Sequence, residues 1–250
     1  MKNYIRVFFI VFLGLTTCKT SKLTEIKDGF ESNSLNKIWS NDKFIPGSFS
    51  FQSKYVRSGK QAAMIVIHSG DQIDEEKGTI LERAELKELK KLLSIENSNY
   101  EYSFSIFLPP NFPIVPTRLV IAQWKQDCET DDCNPDNPVI ALRFASNEFY
   151  VTLQSSPKLD TLYSQKESIL NHWLDFKFNI RFSRNGGGAI KAWLNDKQII
   201  AFNGVTAYSQ TYGYQIPGHF YFKIGLYRDQ MEQPMTIYFD DYTKREITNF

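Results

Sequence analysis

Long hydrophobic segments are missing from this sequence of 250 residues, apart from one short run near its start. That run, Val7 to Leu15, is too short to cross a bilayer as a permanent helix, and it follows the basic residues Lys2 and Arg6. This combination is typical of an export signal. We therefore predict that residues 1–17 are a signal peptide and do not belong to the folded domain.

An excess of charge of either sign is also missing. The 29 Lys and Arg residues nearly balance the 28 Asp and Glu residues, and removal of residues 1–17 changes the net charge only from +1 to −1. The sequence contains no basic run of the kind that favours nucleic acid. Nucleic acid is therefore not an expected partner, and any preference for a polyanion requires a local cluster of cations.

Cysteine is scarce, with three residues, and the first one follows the apolar run directly. The segment Leu15-Thr16-Thr17-Cys18 resembles a bacterial lipobox. This resemblance implies cleavage before Cys18, lipid attachment to its thiol, a short tether over residues 18–24 and a place in the bacterial cell envelope. The alternative is a plain secretory signal in which Cys18 occurs by chance.

The other two cysteines, Cys128 and Cys133, enclose a segment rich in acidic residues. In an oxidising compartment we expect them to form a disulfide bond that closes this loop. A metal site is the weaker alternative, because no histidine and no second cysteine pair lies near them.

Internal repeats and low-complexity linkers are absent, and short alternating runs of apolar and polar residues recur between turn-forming residues. Aromatic residues make up 15% of the chain. This spacing predicts an all-β sandwich or jelly roll that forms a single domain over residues 25–250. The predicted strands include residues 62–67, 100–108, 118–123, 139–144, 149–153, 176–182, 189–194, 221–229 and 235–242. Residues 81–93 are rich in helix formers, and we interpret them as a strand followed by a turn or short helix around residues 87–93.

Three of these strands place polar side chains on one face. They contain Arg83-Ala84-Glu85-Leu86, Gln123-Trp124-Lys125 and Tyr221-Phe222-Lys223-Ile224-Gly225-Leu226-Tyr227. In the last strand the apolar residues point one way, while a lysine, two tyrosines and a glycine point the other way. Such a face suits a negatively charged polymer that must approach the backbone closely.

This combination resembles the β-jelly-roll polysaccharide lyases, a group that includes alginate lyases, glucuronan lyases and heparin lyase I. The group has an R-x-E-L strand, a Q-x-H strand and a Y-F-K-x-G-x-Y strand along one groove. The segments 173–175, 186–188 and 193–197 also look like the glucuronan and heparin lyase branch. The resemblance covers most of the mature chain, and it implies a concanavalin-like sandwich with a concave substrate groove.

One position departs from the pattern of the group, because Lys125 stands where the Q-x-H motif has histidine. In lyases of this shape that histidine often acts as the base or positions the substrate. His68 is the best substitute in this sequence, since we expect it on the strand that precedes the Arg83 strand, facing the groove. A structural or merely exposed histidine is the ordinary alternative.

The resemblance implies cleavage of a uronic acid polymer by β-elimination. Arg83 and Gln123 are suited to neutralising the uronate carboxylate. Tyr227 is suited to proton transfer, with His68 or Lys125 as a further base. The expected substrate contacts are Lys125, Lys223, Glu85, Arg228 and Arg143. Loops 126–138 and 204–218 are expected to set specificity, with Tyr208, Tyr212 and Tyr214 either stacking on sugars or packing on the sandwich.

Two other functions are alternatives to a lyase. A glycoside hydrolase of this fold places two or three carboxylates on one strand face, and no such strand is present. A lipoprotein that binds anionic glycans without cleaving them stays open, because the same groove would serve it. The expected partner in both cases is an anionic polysaccharide, bound by a monomer, and an unsulfated polyuronate such as glucuronan is favoured.

A structural calcium ion is a further expectation from this resemblance. Domains of this type often hold Ca²⁺ where the N-terminal segment meets the last strand. The oxygen ligands would come from Asp28 or Glu31 together with Asp240 or Asp241. The ordinary alternative is that these carboxylates are solvated at strand ends.

Overall fold

The computed structural model describes residues 25–76, 79–130, 132–166, 169–248 and 250. The predicted signal peptide, the tether and Cys18 lie outside these residues. Two short 3-10 helices, Lys90–Leu92 and Gln210–Tyr212, accompany the strands. Within the described ranges, no helix has both the length and the apolar character needed to cross a membrane.

The strands form two antiparallel sheets. The first sheet, sheet A, has the order β15-β14-β13-β8-β17-β4-β3, and β1 pairs with β17 at one end. Its strands are β1 Ile26–Asp28, β3 Phe49–Gln52, β4 Ala62–Ile67, β8 Asn99–Phe107, β13 Trp173–Arg181, β14 Gly188–Leu194, β15 Lys197–Gly204 and β17 Met235–Ile247.

The second sheet, sheet B, has the order β12-β11-β10-β9-β16-β6-β2. In addition, β5 pairs with β6 and β7 pairs with β16. Its strands are β2 Trp39–Lys43, β5 Gln72–Glu76, β6 Thr79–Glu88, β7 Ser94–Ile95, β9 Leu119–Gln126, β10 Ile140–Ala145, β11 Glu148–Leu153, β12 Asp160–Gln165 and β16 His219–Asp229. The three strands that carry the polar motifs, β6, β16 and β9, are therefore direct neighbours.

The core lies between the two sheets and is rich in aromatic rings. The centre is marked by Trp124 of β9, which is fully buried. Its ring lies 4.6 Å from that of Phe178 and 5.5 Å from that of Tyr102, both of sheet A, and 4.8 Å from Phe222 of β16. Because side chains alternate along a strand, burial of Trp124 turns its two neighbours toward the opposite face of sheet B.

The prediction of an all-β jelly roll is confirmed. Residues 81–93 behave as expected, since β6 ends at Glu88 and a 3-10 helix follows at Lys90–Leu92. Cys128 and Cys133 form the predicted disulfide bond, with sulfur atoms 2.00 Å apart and Cα atoms 6.1 Å apart.

Candidate active site

A cleft of about 290 Å³ lies on the face of sheet B that points away from the core. It is bordered by side chains from β6, β9, β10 and β16 and by the loop between β9 and β10. These residues are Leu81, Arg83, Arg118, Val120, Gln123, Lys125, Asp136, Asn137, Pro138, Arg143, Lys223 and Tyr227. The structure thus brings together residues that lie more than 140 positions apart in the sequence.

Irregular pairing shapes the floor of this cleft. The register of β9 shifts against both β16 and β10 near Val120, so Ile121 and Ala122 both face the core while Val120 and Gln123 both face the cleft. Such bulges re-aim side chains within a sheet. As a result, Val120 joins Leu81, Ala141 and Tyr227 in a small apolar cluster at the bottom of the cleft.

Gly225 sets the distance between β6 and β16. Its φ is 150°, and a Cβ at this position would lie 2.1 Å from the carbonyl oxygen of Ala84 and 2.7 Å from Cα of Glu85. The sequence suggested that this glycine lets a polymer approach the backbone. In the structure, glycine is needed at this position because the backbone of β6 lies so close that any side chain would collide with it.

One buried carboxylate holds three of the predicted site residues. Glu85, only 2% exposed, accepts a hydrogen bond from the Gln123 amide. Its Oε2 lies 3.1 Å from Nε of Arg83 and 3.6 Å from Nζ of Lys223. Glu85 therefore positions cleft side chains, whereas the sequence placed it among the substrate contacts.

Tyr227 lies directly opposite Arg83 in the pairing of β16 with β6. The Arg83 guanidinium carbon is 4.1 Å from the centroid of the tyrosine ring, and that of Arg118 is 5.3 Å from it. Arg118 also pairs with Asp229 at 2.8 Å. Two guanidinium groups thus lie beside a tyrosine ring that is 9% exposed, and their positive charges favour a negatively charged ligand in this part of the cleft.

Sequence reasoning missed Arg118. Strict alternation puts residue 118 on the opposite face from Gln123, and only the bulge at Ile121 and Ala122 brings both to the cleft. No signal in the sequence marks this bulge, because neither residue is a glycine.

Arg143 lines the cleft from β10. Its Nε donates a hydrogen bond of 3.1 Å to the hydroxyl of Thr152. Burial lowers its pKa, and the nearby charge of Arg118 lowers it further. No carboxylate of the described residues forms an ion pair with Arg143, so its guanidinium is the cleft cation best prepared to receive an acidic group from a ligand.

The two lysines of the cleft differ in their surroundings. Lys125, which stands where the Q-x-H motif has histidine, forms an ion pair of 2.8 Å with Asp136. Lys223 is 5% exposed, and burial lowers its pKa to about 8 against the opposing effect of Glu85. The positive charges of Arg83, Lys125 and Lys87 act in the same direction as burial.

His68 does not line the cleft, so its predicted placement is wrong. It follows β4, which belongs to sheet A, and its side chain is 63% exposed. Its Nδ1 lies 3.3 Å from Oδ2 of Asp71. The sequence motifs could not show which sheet carries His68, because β4 belongs to sheet A whereas the next strands, β5 and β6, belong to sheet B.

The predicted placement of Arg228 is also wrong. Arg228 is fully buried, and its guanidinium pairs with Glu82 at 2.6 Å and donates to the carbonyl oxygen of Gln233. It follows Tyr227 directly, so it points to the opposite side of β16. It is therefore not available to a ligand in the cleft.

The tyrosines of loop 204–218 pack within the protein. Tyr208 and Tyr214 are buried and stacked, with ring centroids 5.0 Å apart, and Tyr212 packs edge-on against Tyr208. Of the two roles considered for these residues, the structure shows packing on the sandwich.

The carboxylates proposed for calcium are engaged by other groups. Asp28 accepts hydrogen bonds from the Trp39 indole and the Phe30 amide, and Glu31 accepts from two backbone amides. Asp240 accepts from three backbone amides, and Asp241 accepts from a serine hydroxyl. The described residues contain no group of three or more His, Cys, Asp or Glu side chains that could hold a metal ion. The calcium ion therefore stays a prediction.

The protein is an antiparallel jelly roll with a cation-lined cleft on one of its two sheets. The family model described as polysaccharide lyase matches residues 24–243, and the chain therefore belongs to the polysaccharide lyase family. A search of curated proteins gives no significant match.

Solved structures with the same fold are distant in sequence. The endo-β-1,4-glucuronan lyase of the fungus Trichoderma reesei is 13% identical, with a TM-score of 0.66 over 91% of this chain and 96% of that one. The alginate lyase AlgAT5 is 16% identical, with a TM-score of 0.57 over 82% and 84%. A variant of the alginate lyase Aly36B, solved with an alginate trisaccharide, is 11% identical, with a TM-score of 0.54 over 91% and 100%.

Proposed function

We propose that this polysaccharide lyase cleaves a uronic acid polymer by β-elimination and that an unsulfated polyuronate such as glucuronan is its substrate. The observation that carries the proposal is the position of Tyr227 beside the guanidinium groups of Arg83 and Arg118, in a cleft that also contains Arg143 and Gln123. One cleft thus contains a phenol that can transfer a proton and several hydrogen-bond donors that can bind a carboxylate.

Neutralisation of the uronate carboxylate is the first requirement, because the proton on C5 becomes acidic only when the adjacent negative charge is offset. Arg143 supplies a guanidinium that no described carboxylate occupies. Gln123 donates one amide hydrogen to Glu85, which leaves its second amide hydrogen for the substrate. In this proposal both groups bind the carboxylate and stabilise the charge that develops on it.

Proton transfer is the second requirement, and Tyr227 can perform both of its steps. As a phenolate it accepts the proton from C5, and the resulting electron pair forms the C4–C5 double bond as the C4–O4 bond breaks. The phenol then gives the same proton to the departing O4 oxygen, which restores the phenolate. No net proton is gained or lost by the enzyme, and no water is consumed.

Lys223 is a second group that can accept the C5 proton. Its pKa of about 8 leaves a substantial neutral fraction at mildly alkaline pH. In that case Lys223 takes the proton from C5 and Tyr227, as a neutral phenol, gives a proton to O4. His68 is outside the cleft. Lys125 donates a hydrogen bond of 2.8 Å to Asp136, whereas Lys223 lies 3.6 Å from the nearest oxygen of Glu85 and is less tightly held.

The charge of the cleft supports an unsulfated substrate. Most of its cations already face a carboxylate of the protein: Arg83 and Lys223 face Glu85, Lys125 faces Asp136, and Arg118 faces Asp229. The five cations of the cleft and these three carboxylates leave a net charge of +2, which suits one or two uronate carboxylates better than a densely sulfated sugar. The likeness of the fold to a glucuronan lyase points the same way.

A panel of polymers tests the reaction. The mature protein is incubated with glucuronan, alginate, heparin, heparan sulfate and ulvan, and ultraviolet absorbance follows the new double bond. We expect absorbance to rise with glucuronan. Binding to one polymer without any rise in absorbance would instead support a glycan-binding lipoprotein.

The variant Tyr227→Phe tests the proposed acid. We expect kcat to fall by about 100- to 10,000-fold with little change in KM, since one proton-transfer group typically contributes that much. Tyr55→Phe is the matched control, because Tyr55 packs on Phe107 of sheet A at 4.6 Å, on the other sheet. A Tyr227→Phe enzyme that keeps most of its turnover would contradict this role.

Export and anchoring are part of the same proposal and rest on residues 1–18 alone. A lipid on Cys18 would hold the enzyme in the bacterial cell envelope, facing polymer outside the cytoplasm. The mass of the mature N-terminal peptide tests this, since an unmodified cysteine would leave only a secreted enzyme.

A further inference from the structure

A second cleft, of about 370 Å³, adjoins the first on the same face of sheet B. Lys87, Lys90 and Tyr221 line it, and it shares Lys125 and Asp136 with the first cleft. The ion pair between Lys125 and Asp136 therefore marks the boundary between two parts of one continuous depression.

Strand pairing gives the direction of this depression. Tyr221, Lys223 and Tyr227 point to the same face of β16, and Lys87 lies opposite Lys223 in the pairing of β16 with β6. Six residues of strand span roughly 20 Å. The distance from Tyr227 to Tyr221 is therefore longer than a single sugar ring, so a substrate that occupies both clefts must be an oligosaccharide.

The charge of the second cleft is positive. The Lys87 ammonium lies 4.4 Å from the centroid of the Tyr221 ring, and Lys90 is exposed at the rim. Neither lysine forms an ion pair with a carboxylate in the part of the chain that the structure describes. Asp127 is the acidic residue here besides Asp136, which already pairs with Lys125.

We infer that the second cleft is a binding subsite for a further uronate of the same polymer, held by the ammonium groups of Lys87 and Lys90. This inference rests on the proposed function and adds that the polymer crosses the ion pair of Lys125 and Asp136. The substrate carboxylate that binds here undergoes no chemistry. Its role is to anchor the polymer so that a uronate further along the same polymer reaches Tyr227.

The double variant Lys87→Gln/Lys90→Gln tests the subsite with uronate oligosaccharides of increasing length. We expect KM to rise by about three- to tenfold for the polymer and the long oligosaccharides, as loss of two solvent-screened ion contacts predicts. The rise should shrink as the substrate becomes too short to reach the second cleft. Added salt should reduce the difference between wild type and variant, because it screens these contacts.

Lys91→Gln is the matched control, since Lys91 lies in the same 3-10 helix, is exposed and does not line the cleft. It should behave as wild type at every length. Equal KM values for the double variant and Lys91→Gln would overturn the subsite, as would a rise that is the same for every length. A wild-type protein without activity on any polymer would instead overturn the proposed function.

Discussion

At the scale of the residue, Glu85 organises the cleft more than any group expected to touch the substrate. Its carboxylate is buried and contacts Gln123, Arg83 and Lys223, which come from three different strands. A side chain held by a fixed partner loses little freedom when a ligand binds, so the cleft is arranged before the substrate arrives. The cost is that the two cations among them, Arg83 and Lys223, are already partly neutralised.

Lys223 gives a prediction about stability and pH. Below pH 8 the ammonium is charged in both the folded and the unfolded chain, and burial of that charge costs stability. Between the folded pKa of about 8 and the ordinary value of 10.5, the unfolded chain binds more protons. The contribution of Lys223 to the free energy of unfolding therefore rises with pH across this window, by about 3 kcal/mol.

Denaturant unfolding of wild type and Lys223→Met at several pH values measures this effect. Between pH 8 and pH 10.5 the free energy of unfolding of wild type, relative to that of the variant, should increase by about 3 kcal/mol. Lys91→Met, which removes an exposed ammonium, should show no such trend. A constant difference between wild type and Lys223→Met would contradict the lowered pKa.

The sequence predicted part of this site, and the limits have physical causes. Gln123 was predicted correctly as a cleft residue, because the large apolar Trp124 beside it fixes the alternation. Arg118 was not predicted, because an unmarked bulge changes the face on which it lies. The placement of Arg228 was wrong because the sequence does not show that its charge is paired with Glu82 in a fully buried ion pair.

At the scale of the element, the loop between β9 and β10 closes one side of the cleft. The disulfide bond between Cys128 and Cys133 constrains it, and the amide of Asn134 donates to the carbonyl oxygen of Tyr212 at 3.0 Å. The Tyr214 hydroxyl donates to the carbonyl oxygen of Pro135 at 2.9 Å. These contacts hold Asp136 in position to pair with Lys125.

The double variant Cys128→Ser/Cys133→Ser tests the role of this loop. The bond closes a short loop, so we expect only a modest fall in melting temperature, of a few degrees. KM for the polymer should rise severalfold, because a loosened loop no longer holds Asp136 and the cleft wall. Reductant should reproduce the effect in wild type and have none in the variant, and unchanged KM in both would exclude this role.

Strand prediction succeeded in the middle of the sheets and failed at their edges. Central strands such as β8 and β13 alternate clearly, because one face of each packs on the core. The edge strands β12 and β15 were not predicted, since most of their side chains are partly or fully exposed and the alternation is lost. Their positions follow from pairing with a neighbour, which the local sequence does not encode.

At the scale of the whole molecule, the two sheets are joined by charge as well as by the aromatic core. Glu88 of β6 in sheet B accepts hydrogen bonds from Tyr242 and Lys244 of β17 in sheet A. Burial lowers the pKa of Lys244, against the opposing effect of Glu88. Both side chains of the ion pair are fully buried, so removal of either leaves an uncompensated charge or donor between the sheets.

Glu88→Ala should therefore lower the free energy of unfolding by about 3–5 kcal/mol, the usual effect of breaking a buried ion pair. Glu101→Ala is the matched control, since it removes the partner of Arg245, whose side chain is 50% exposed. That change should cost no more than about 1 kcal/mol. Urea unfolding measures both, and similar losses in the two variants would show that burial of the pair contributes nothing.

The close approach of β6 and β16 at Gly225 has a consequence for how this enzyme tolerates change. Arg83 and Tyr227 face each other only while the two backbones keep their present separation, and that separation exists because residue 225 has no side chain. A position without any reactive group thus sets the alignment of two side chains that line the cleft. Among descendants of this chain that keep their activity, Gly225 should vary as little as Tyr227 itself.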